Sequence, residues 1–214
     1  RTFKPLDYGS VGDLMVAFCF FAGYIAAGGN GNTAANPLPD GVSVPTGWSL
    51  AGSMRNSYNI SQSGGKKDTT GSICHIIYKR LTAGDNANIS PIQDDHAGAT
   101  QGYFRTEFLT FTGGASPSPI QVNTGFGSGS KSANLVLSTE QNALIVIAGC
   151  CGWSPTNSAS FTSFTAYDAQ YGVNNNSLRT RIGYKIYNTA PSDETIAMND
   201  IGESNNLVAC ALRI

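Results

Sequence analysis

The chain carries the same order of features twice, and this order constrains its fold more than any other property. In the first half an apolar run at residues 14–22 precedes small-residue loops and the segment Ile77-Tyr-Lys-Arg-Leu-Thr-Ala-Gly-Asp85. The second half has an apolar run at residues 143–150 and later Arg181-Ile-Gly-Tyr-Lys-Ile-Tyr-Asn-Thr-Ala-Pro-Ser-Asp193. Each half therefore contains a buried strand, a small-residue loop, a Tyr-Lys strand, a Thr-Ala turn and an Asp. This order predicts two related β layers that close on each other.

Strand patterns dominate the rest of the chain. No window of about 12 residues keeps apolar side chains at helical spacing, whereas short apolar or alternating runs recur between Gly, Pro, Asn and Asp clusters. The predicted strands cover residues 14–22, 47–54, 73–81, 87–92, 103–111, 119–124, 133–138, 143–150, 163–169, 178–187, 194–198 and 206–214. About a dozen short strands favour a β-sandwich or jelly roll over a propeller or barrel.

We therefore predict a single all-β domain over residues 1–214, a two-sheet antiparallel β-sandwich that resembles a jelly roll. The half-repeats, related by a weak internal two-fold repeat, cover about residues 12–111 and 133–214, and the Gly/Ser/Pro-rich residues 112–132 form a crossover between them. Long loops are expected at residues 23–43, 55–71, 93–102 and 154–177.

The apolar strands predict the core. Runs that are apolar on both faces belong at the centre of a sheet, covered on one side by the opposing sheet and on the other by loops or a partner chain. Between residues 179 and 187, alternation places Ile182, Tyr184 and Ile186 on one face. The expected buried residues are Leu14, Val16, Phe18, Phe20, Ile76, Tyr78, Leu144, Val146, Leu207 and Val208.

The charge composition argues against two classes of function. Charged residues make up 13% of the chain and the net charge is −1, with no basic cluster of the kind that nucleic-acid binding needs. No apolar stretch reaches the roughly 18 residues of a membrane-spanning helix. The chain begins at Arg1 rather than Met, which indicates either a processed start or numbering that begins inside a longer product.

The five cysteines point to a structural role. Their odd number argues against a full disulfide framework, and Cys19, Cys74 and Cys210 each lie within an apolar strand pattern. The neighbours Cys150 and Cys151 lack the spacing of a zinc site. We expect all five to be reduced residues of the interior, made in a reducing cytoplasm.

The chain offers few groups for catalysis. Asp94-Asp95-His96 is the only tight carboxylate–imidazole cluster, and a loop role is favoured there over calcium binding or acid–base chemistry. His75 follows Cys74 directly, so their side chains should point to opposite faces of a strand and not form a nucleophile pair. We predict no catalytic residue, no cofactor and no metal.

Aromatic residues supply the candidate contact surface. Trp48 begins a strand, where its ring is expected to close the end of the sandwich rather than to bind a ligand. Trp153, Tyr167 and Tyr171 border a polar segment instead, and these three are our predicted contact surface.

Three short segments carry a resemblance to a known family. They are Gly12-Asp-Leu-Met-Val-Ala-Phe18, Pro45-Thr-Gly-Trp-Ser-Leu50 and the segment that ends at Asp85. Together they resemble a β-sandwich module of tailed-bacteriophage virion proteins, which recurs in tail, fibre and head-decoration proteins. The resemblance covers most of residues 12–111, and it implies a structural or adhesive role with no catalytic residues. The chain departs from the family pattern at residues 23–43, where the first loop is unusually long.

These observations lead to one expected function and two alternatives. The expected function is that of a non-enzymatic virion protein on the surface of a phage tail or head, synthesised in the host cytoplasm. Its partners would be copies of itself in a homo-oligomer, other virion proteins and a glycan of the host surface. The alternatives are a carbohydrate-binding module of a secreted protein and a subunit of an extracellular filament assembled by strand exchange.

Overall fold

The computed structural model describes residues 2–25, 44–61, 67–90, 101–113, 118–120, 131–135, 143–151, 160–161, 163–167, 179–189, 194–199 and 208–214. The described residues are all-β, as predicted, since their only helix is the three-residue 3-10 helix Pro5–Asp7. The strands are β1 (Leu14–Ile25), β2 (Ser49–Ser61), β3 (Lys67–Arg80), β4 (Gln101–Phe111), β5 (Ser118–Ile120), β6 (Lys131–Leu135), β7 (Ala143–Cys151), β8 (Ser160–Phe161), β9 (Thr165–Ala166), β10 (Arg179–Tyr187), β11 (Glu194–Asn199) and β12 (Val208–Arg213).

The strands form three antiparallel sheets. A four-stranded sheet has the order β2-β3-β1-β4, and a five-stranded sheet has the order β5-β12-β7-β10-β9. A smaller three-stranded sheet has the order β6-β11-β8. The runs predicted to be central because they are apolar on both faces, residues 14–22, 143–150 and 207–212, correspond to β1, β7 and β12. Each of these three strands has a neighbour on both sides in its sheet, as predicted.

Several predicted boundaries are wrong. β1 continues to Ile25, inside the expected loop at residues 23–43, and β8 lies inside the expected loop at residues 154–177. The expected loop at residues 55–71 is strand over residues 55–61 and 67–71, because β2 and β3 stay paired as far as Ser61 and Lys67. This stretch is rich in Gly, Ser, Asn and Thr, so it lacks the apolar alternation that marks a strand in the sequence. The expected strand at residues 87–92 is reduced, over residues 87–90, to a single bridge between Ile89 and Phe3.

The two larger sheets pair their strands in the same register. Val16 of β1 lies opposite Tyr78 of β3, and Val146 of β7 lies opposite Tyr184 of β10. In both strand pairs, β1 with β3 and β7 with β10, the antiparallel pairing continues from these residues without a bulge. The Tyr-Lys segments noticed in the sequence therefore occupy corresponding places beside corresponding apolar strands.

The correspondence extends to the flanking strands. β4 borders β1 as β12 borders β7, with Leu109 opposite Val16 and Leu212 opposite Val146. On the other side, β2 pairs with β3 as β9 pairs with β10. Each half thus contains four strands in the same relative order, β2-β3-β1-β4 and β9-β10-β7-β12.

The main hydrophobic core joins the two larger sheets, and we call it the inter-sheet core. It contains side chains from alternate positions of β1, β3, β7 and β10, as the period of two along a strand requires. Its buried members are Leu14, Val16, Phe18, Phe20, Cys74, Ile76, Val146, Ala148 and Ile182. All six of the predicted core residues among these are confirmed, and the predicted Tyr78 and Leu144 are partly buried against it. Leu207 and the side chain of Val208 lie outside the described part.

A second core covers the opposite face of the four-stranded sheet. The remaining alternate positions of β1 and β3 pack there against the N-terminal segment and Trp48, whose ring meets Phe3 edge-on at a centroid distance of 6.0 Å. Trp48 is 7% exposed, so its expected burial is confirmed, but its ring packs on the outer face of the four-stranded sheet rather than at the end of a sandwich. The buried residues of this second core are Phe3, Met15, Ala17, Cys19, Phe21, Trp48, Ile73, Ile77 and Leu81.

The outer face of the five-stranded sheet is also covered near β10. The Phe161 ring and the Cβ of Phe164 come so close to Gly183 that an added Cβ would lie 2.9 Å from the Phe161 ring and 3.3 Å from the Phe164 Cβ. The ammonium of Lys185 lies 5.8 Å from the centre of the Phe164 ring and 5.0 Å from that of Tyr187. Among the described residues, no helix is long and apolar enough to cross a membrane.

Candidate functional site

The three segments that carry the family resemblance meet at one corner of the four-stranded sheet. The backbone N–H of Gly12 donates to the carbonyl of Leu81 at 2.9 Å, and the Leu81 N–H donates to the carbonyl of Asp13 at 2.8 Å. The guanidinium of Arg80 donates to the carbonyls of Gly12 at 2.7 Å and Gly113 at 3.0 Å. These bonds join the entry to β1, the exit from β3 and the end of β4.

Asp85 organises the centre of this corner. One carboxylate oxygen accepts from the Lys79 ammonium at 2.6 Å, and the other accepts from the backbone N–H and the hydroxyl of Thr82, each at 2.8 Å. Burial alone would raise the pKa of the Asp85 carboxyl, but the hydrogen bonds from Lys79 and Thr82 and the charge of Lys79 outweigh it. The pKa of Asp85 is therefore lowered, and the carboxylate stays ionised.

Gly47 brings the third segment into the same corner. Its φ of +79° lies in the left-handed region, and a Cβ at this position would lie 3.2 Å from the Lys79 ammonium. Gly47 thus lets the turn before β2 close over the Lys79–Asp85 pair. Lys79 and Asp85 are 18% and 6% exposed at their side chains, so the corner is a closed structural joint rather than an open site.

A polar row crosses the four-stranded sheet on the face of the second core. Ser53, His75, Cys19 and Thr106 lie opposite one another on the four successive strands. Cys74 and His75 lie on opposite faces of β3, as predicted. His75 and its neighbour on β1, Cys19, lie on the same face of the sheet. The sequence could not reveal this pair, since it depends on the register of β1 against β3.

This Cys–His pair lacks the properties of a catalytic nucleophile. Both residues are 0% exposed. Burial raises the pKa of the Cys19 thiol far above its ordinary value, and the opposing effect of a hydrogen bond with Thr106 is smaller. A reactive cysteine needs a thiolate that solvent or substrate can reach, so this pair is part of the interior.

An apolar cleft opens between the two larger sheets at the side where β4 faces β10. Its volume is about 300 Å³, near the lower limit for ligand pockets. Seven side chains line it, none of them charged, and the two tyrosine hydroxyls are the only polar side-chain groups in that lining. The lining residues are Leu109, Phe111, Leu144, Val146, Tyr167, Tyr184 and Ile186.

The rim of the cleft is unusually apolar for a protein surface. Tyr167 is 51% exposed and Ile186 is 62% exposed. Tyr167 is held in place by its backbone N–H, which donates to the carbonyl of Ile182 at 2.9 Å. Exposed apolar residues that line a common concavity, unlike isolated ones, indicate a contact surface.

At the end of the cleft away from Phe111, polar side chains close the gap between β4 and β10. The guanidinium of Arg105 donates to the hydroxyl of the buried Thr180 at 2.8 Å, and it also pairs with Glu107. The two sheets are therefore joined at the Arg105 end and separated at the Phe111 end, which gives the cleft its opening.

The structure places one of the three predicted contact residues at this cleft. Tyr167 lies on its rim, while Trp153 and Tyr171 fall outside the described residues, as does the Asp94-Asp95-His96 cluster. Ile186 lies on the face that the strand alternation predicted, but its exposure and the contribution of Leu109 and Phe111 to the cleft were not predicted from the sequence.

Within the described ranges, no group of three or more His, Cys, Asp or Glu residues is arranged to hold a metal ion. Comparison of the chain with protein-family models, curated proteins and solved structures finds no match.

Proposed function

We propose that this protein is a non-enzymatic structural protein of a bacteriophage virion, exposed on the tail or head. The observation that carries the proposal is the corner built around Asp85. The family resemblance consists of three short motifs, each of which could match by chance. Their contact through Lys79, Gly47 and the Gly12–Leu81 hydrogen bonds supports treating them as parts of one module.

The fold we propose is a β-sandwich of the jelly-roll type, built from two copies of one four-stranded unit. The inter-sheet core supports the sandwich, because it contains side chains of both larger sheets. The matched registers at Tyr78 and Tyr184 support the internal repeat. The half-repeats at residues 12–111 and 133–214 then form a single domain.

The mode of action we propose is binding without turnover, in a homo-oligomer and with other virion proteins. The cleft supports this role, since exposed aromatic and aliphatic side chains around an uncharged concavity suit protein contacts. The protein would be synthesised in the host cytoplasm and reach its place by assembly onto the particle. Attachment to a host glycan is the further role that the family resemblance suggests.

Two measurements test this function. Light scattering of the purified chain should give the mass of a fixed oligomer, and an antiserum against it should label intact phage particles in electron micrographs. A chain that stays monomeric at all concentrations, and an antiserum that labels no particle, would together reject the proposal.

The exposed ring of Tyr167 favours one other candidate, a carbohydrate-binding module. An aromatic ring can stack on a sugar, but the remaining lining is apolar and would leave most sugar hydroxyls without hydrogen-bond partners. A glycan array with the wild-type chain and Tyr167→Ala tests whether this ring binds sugar, and labelling of phage particles then separates a sugar-binding module from a virion protein that attaches to a host glycan.

A further inference from the structure

We propose that the outer edge of β4 and the apolar cleft together form a docking site for an extended polypeptide segment, which pairs with β4 as an added strand. This inference rests on the internal repeat proposed above. The partner segment is uncharged at its centre and directs an apolar side chain into the cleft. Addition of a strand to a sheet edge is a common mode of peptide recognition.

β4 and β12 occupy equivalent positions in the two larger sheets. Both strands flank the central apolar strand of their sheet, and Leu109 and Leu212 take the same position beside Val16 and Val146. Whatever covers the outer edge of one strand therefore indicates what the outer edge of the other can accept.

The outer edge of β12 is covered by this chain itself. β5 pairs antiparallel with it, with Pro119 opposite Leu212 and Ile120 opposite Ala211. β5 also lies against β2 and so closes that side of the molecule between the two sheets. Proline is tolerated in such an edge strand because its missing N–H need not join the ladder.

Among the described strands, none pairs with the outer edge of β4 as β5 pairs with the outer edge of β12. β4 ends the four-stranded sheet, with β1 as its one neighbour among the described strands. The cleft opens on this same side and is lined by Leu109 and Phe111 of β4. The cleft therefore lies where β5 and β2 meet in the other half.

The difference in length between β2 and β9 explains why the cleft is open. β2 has 13 residues and its counterpart β9 has 2, so β9 covers much less of the neighbouring sheet. Tyr167, directly after β9, and Ile186, at the end of β10, are left on the rim. In the first half the positions that match them hold Ala51, which packs on the core, and Arg80, which binds backbone carbonyls.

The lining defines the chemistry of the partner segment. A strand added to β4 would lie about 4.8 Å from it, and the residue opposite Leu109 would share the face of Leu109. That face is the cleft, where Tyr167 and Ile186 offer apolar surface and no charged side chain is present. A charged residue at this position would lose water without gaining a partner, so the position requires an apolar side chain.

The chain supplies a suitable probe. A synthetic peptide with the sequence of residues 115–122 contains β5, which pairs with the equivalent edge. We expect it to shift the backbone amide NMR signals of Phe108, Leu109 and Thr110, with a Kd on the order of 1 mM because the segment is short. A matched peptide with Pro119→Asp should bind about tenfold more weakly.

Two protein variants complete the test. Ile186→Lys places a charge on the rim and should weaken peptide binding about tenfold, whereas Val11→Lys, at a residue that is 61% exposed and absent from the cleft lining, should leave it unchanged. The proposal is overturned if no β4 signal moves at several times the expected Kd, if only β12 signals move, or if Ile186→Lys has no effect.

Light scattering distinguishes the source of the segment. If the wild-type chain self-associates and Ile186→Lys abolishes this while Val11→Lys does not, the segment belongs to a second copy, which supports the docking site. Peptide binding at β4 with no labelling of phage particles would retain the docking site and reject the virion function. Labelling of phage particles without peptide binding at β4 would retain the virion function and reject the docking site.

Discussion

Gly47 and Ser163 adopt the same left-handed backbone, with φ of 79° and 64°, each in the turn before a strand at the edge of its sheet. Each precedes a buried aromatic residue, Trp48 or Phe164. Each also lies two residues before the strand position paired with Tyr78 or Tyr184. The turn that starts the outer strand is thus built in the same way twice, once with the residue type suited to this backbone and once without it.

Substitutions at these two turns should have opposite effects. Ser163→Gly relieves the left-handed strain of an exposed residue and should raise the free energy of unfolding by about 0.5 kcal/mol after the added chain entropy is subtracted. Gly47→Ala introduces that strain and crowds the Lys79 ammonium, so it should lower the free energy of unfolding by about 1 to 3 kcal/mol. Urea denaturation of both variants beside the wild-type chain checks the signs, and equal signs would contradict the account.

The ion pair at the corner should make stability depend on pH. Because the folded pKa of Asp85 is lowered, its stabilising contribution is fully present above about pH 4 and is lost as the pH falls through the folded pKa. Asp85→Asn should lower the free energy of unfolding at neutral pH by about 1 to 3 kcal/mol. It should also flatten the loss of stability on acidification.

Urea titrations at a series of pH values measure both effects. Asp7→Asn is the matched control, since the Asp7 carboxylate is 60% exposed and its contact with Lys4 at 3.7 Å is a surface pair. An unchanged pH profile in Asp85→Asn, or an equal change in Asp7→Asn, would show that the corner does not contribute as described.

The strands that could be predicted are those whose own residues show an apolar or alternating pattern. The residues of β1 are apolar on both faces, which requires cover on both sides, and β10 alternates so that Ile182 and Gly183 take opposite faces. The extensions of β2 and β3 carry no such signal, because Gly and Asn are depleted in strands and the pairing of the two strands is not visible in either one alone. The Cys19–His75 pair and the cleft depend on the register and spacing of distant strands, and no local pattern encodes either.

The two cysteines with described side chains should be inert in the folded protein. The side chains of Cys19 and Cys74 are fully buried, and burial raises the pKa of the Cys19 thiol. Alkylation under native conditions should therefore leave both unmodified. Under denaturing, non-reducing conditions all five cysteines should be alkylated. Mass spectrometry of the peptides measures both outcomes, and a specific disulfide or rapid native labelling of Cys19 would contradict them.

The inter-sheet core should tolerate no charge at its centre, whereas the rim of the cleft should. Val146 is 1% exposed between β10 and β12, so Val146→Asp buries a carboxylate with no partner at a cost of several kcal/mol and should abolish soluble expression. Ile186→Asp, on the same face of the five-stranded sheet but 62% exposed, is the matched control and should remain soluble with wild-type circular dichroism. The soluble fraction after centrifugation of expressing cells separates the two. A soluble and cooperatively folding Val146→Asp would mean that β7 is not central to the core, and an insoluble Ile186→Asp would mean that the cleft is closed by other parts of the chain.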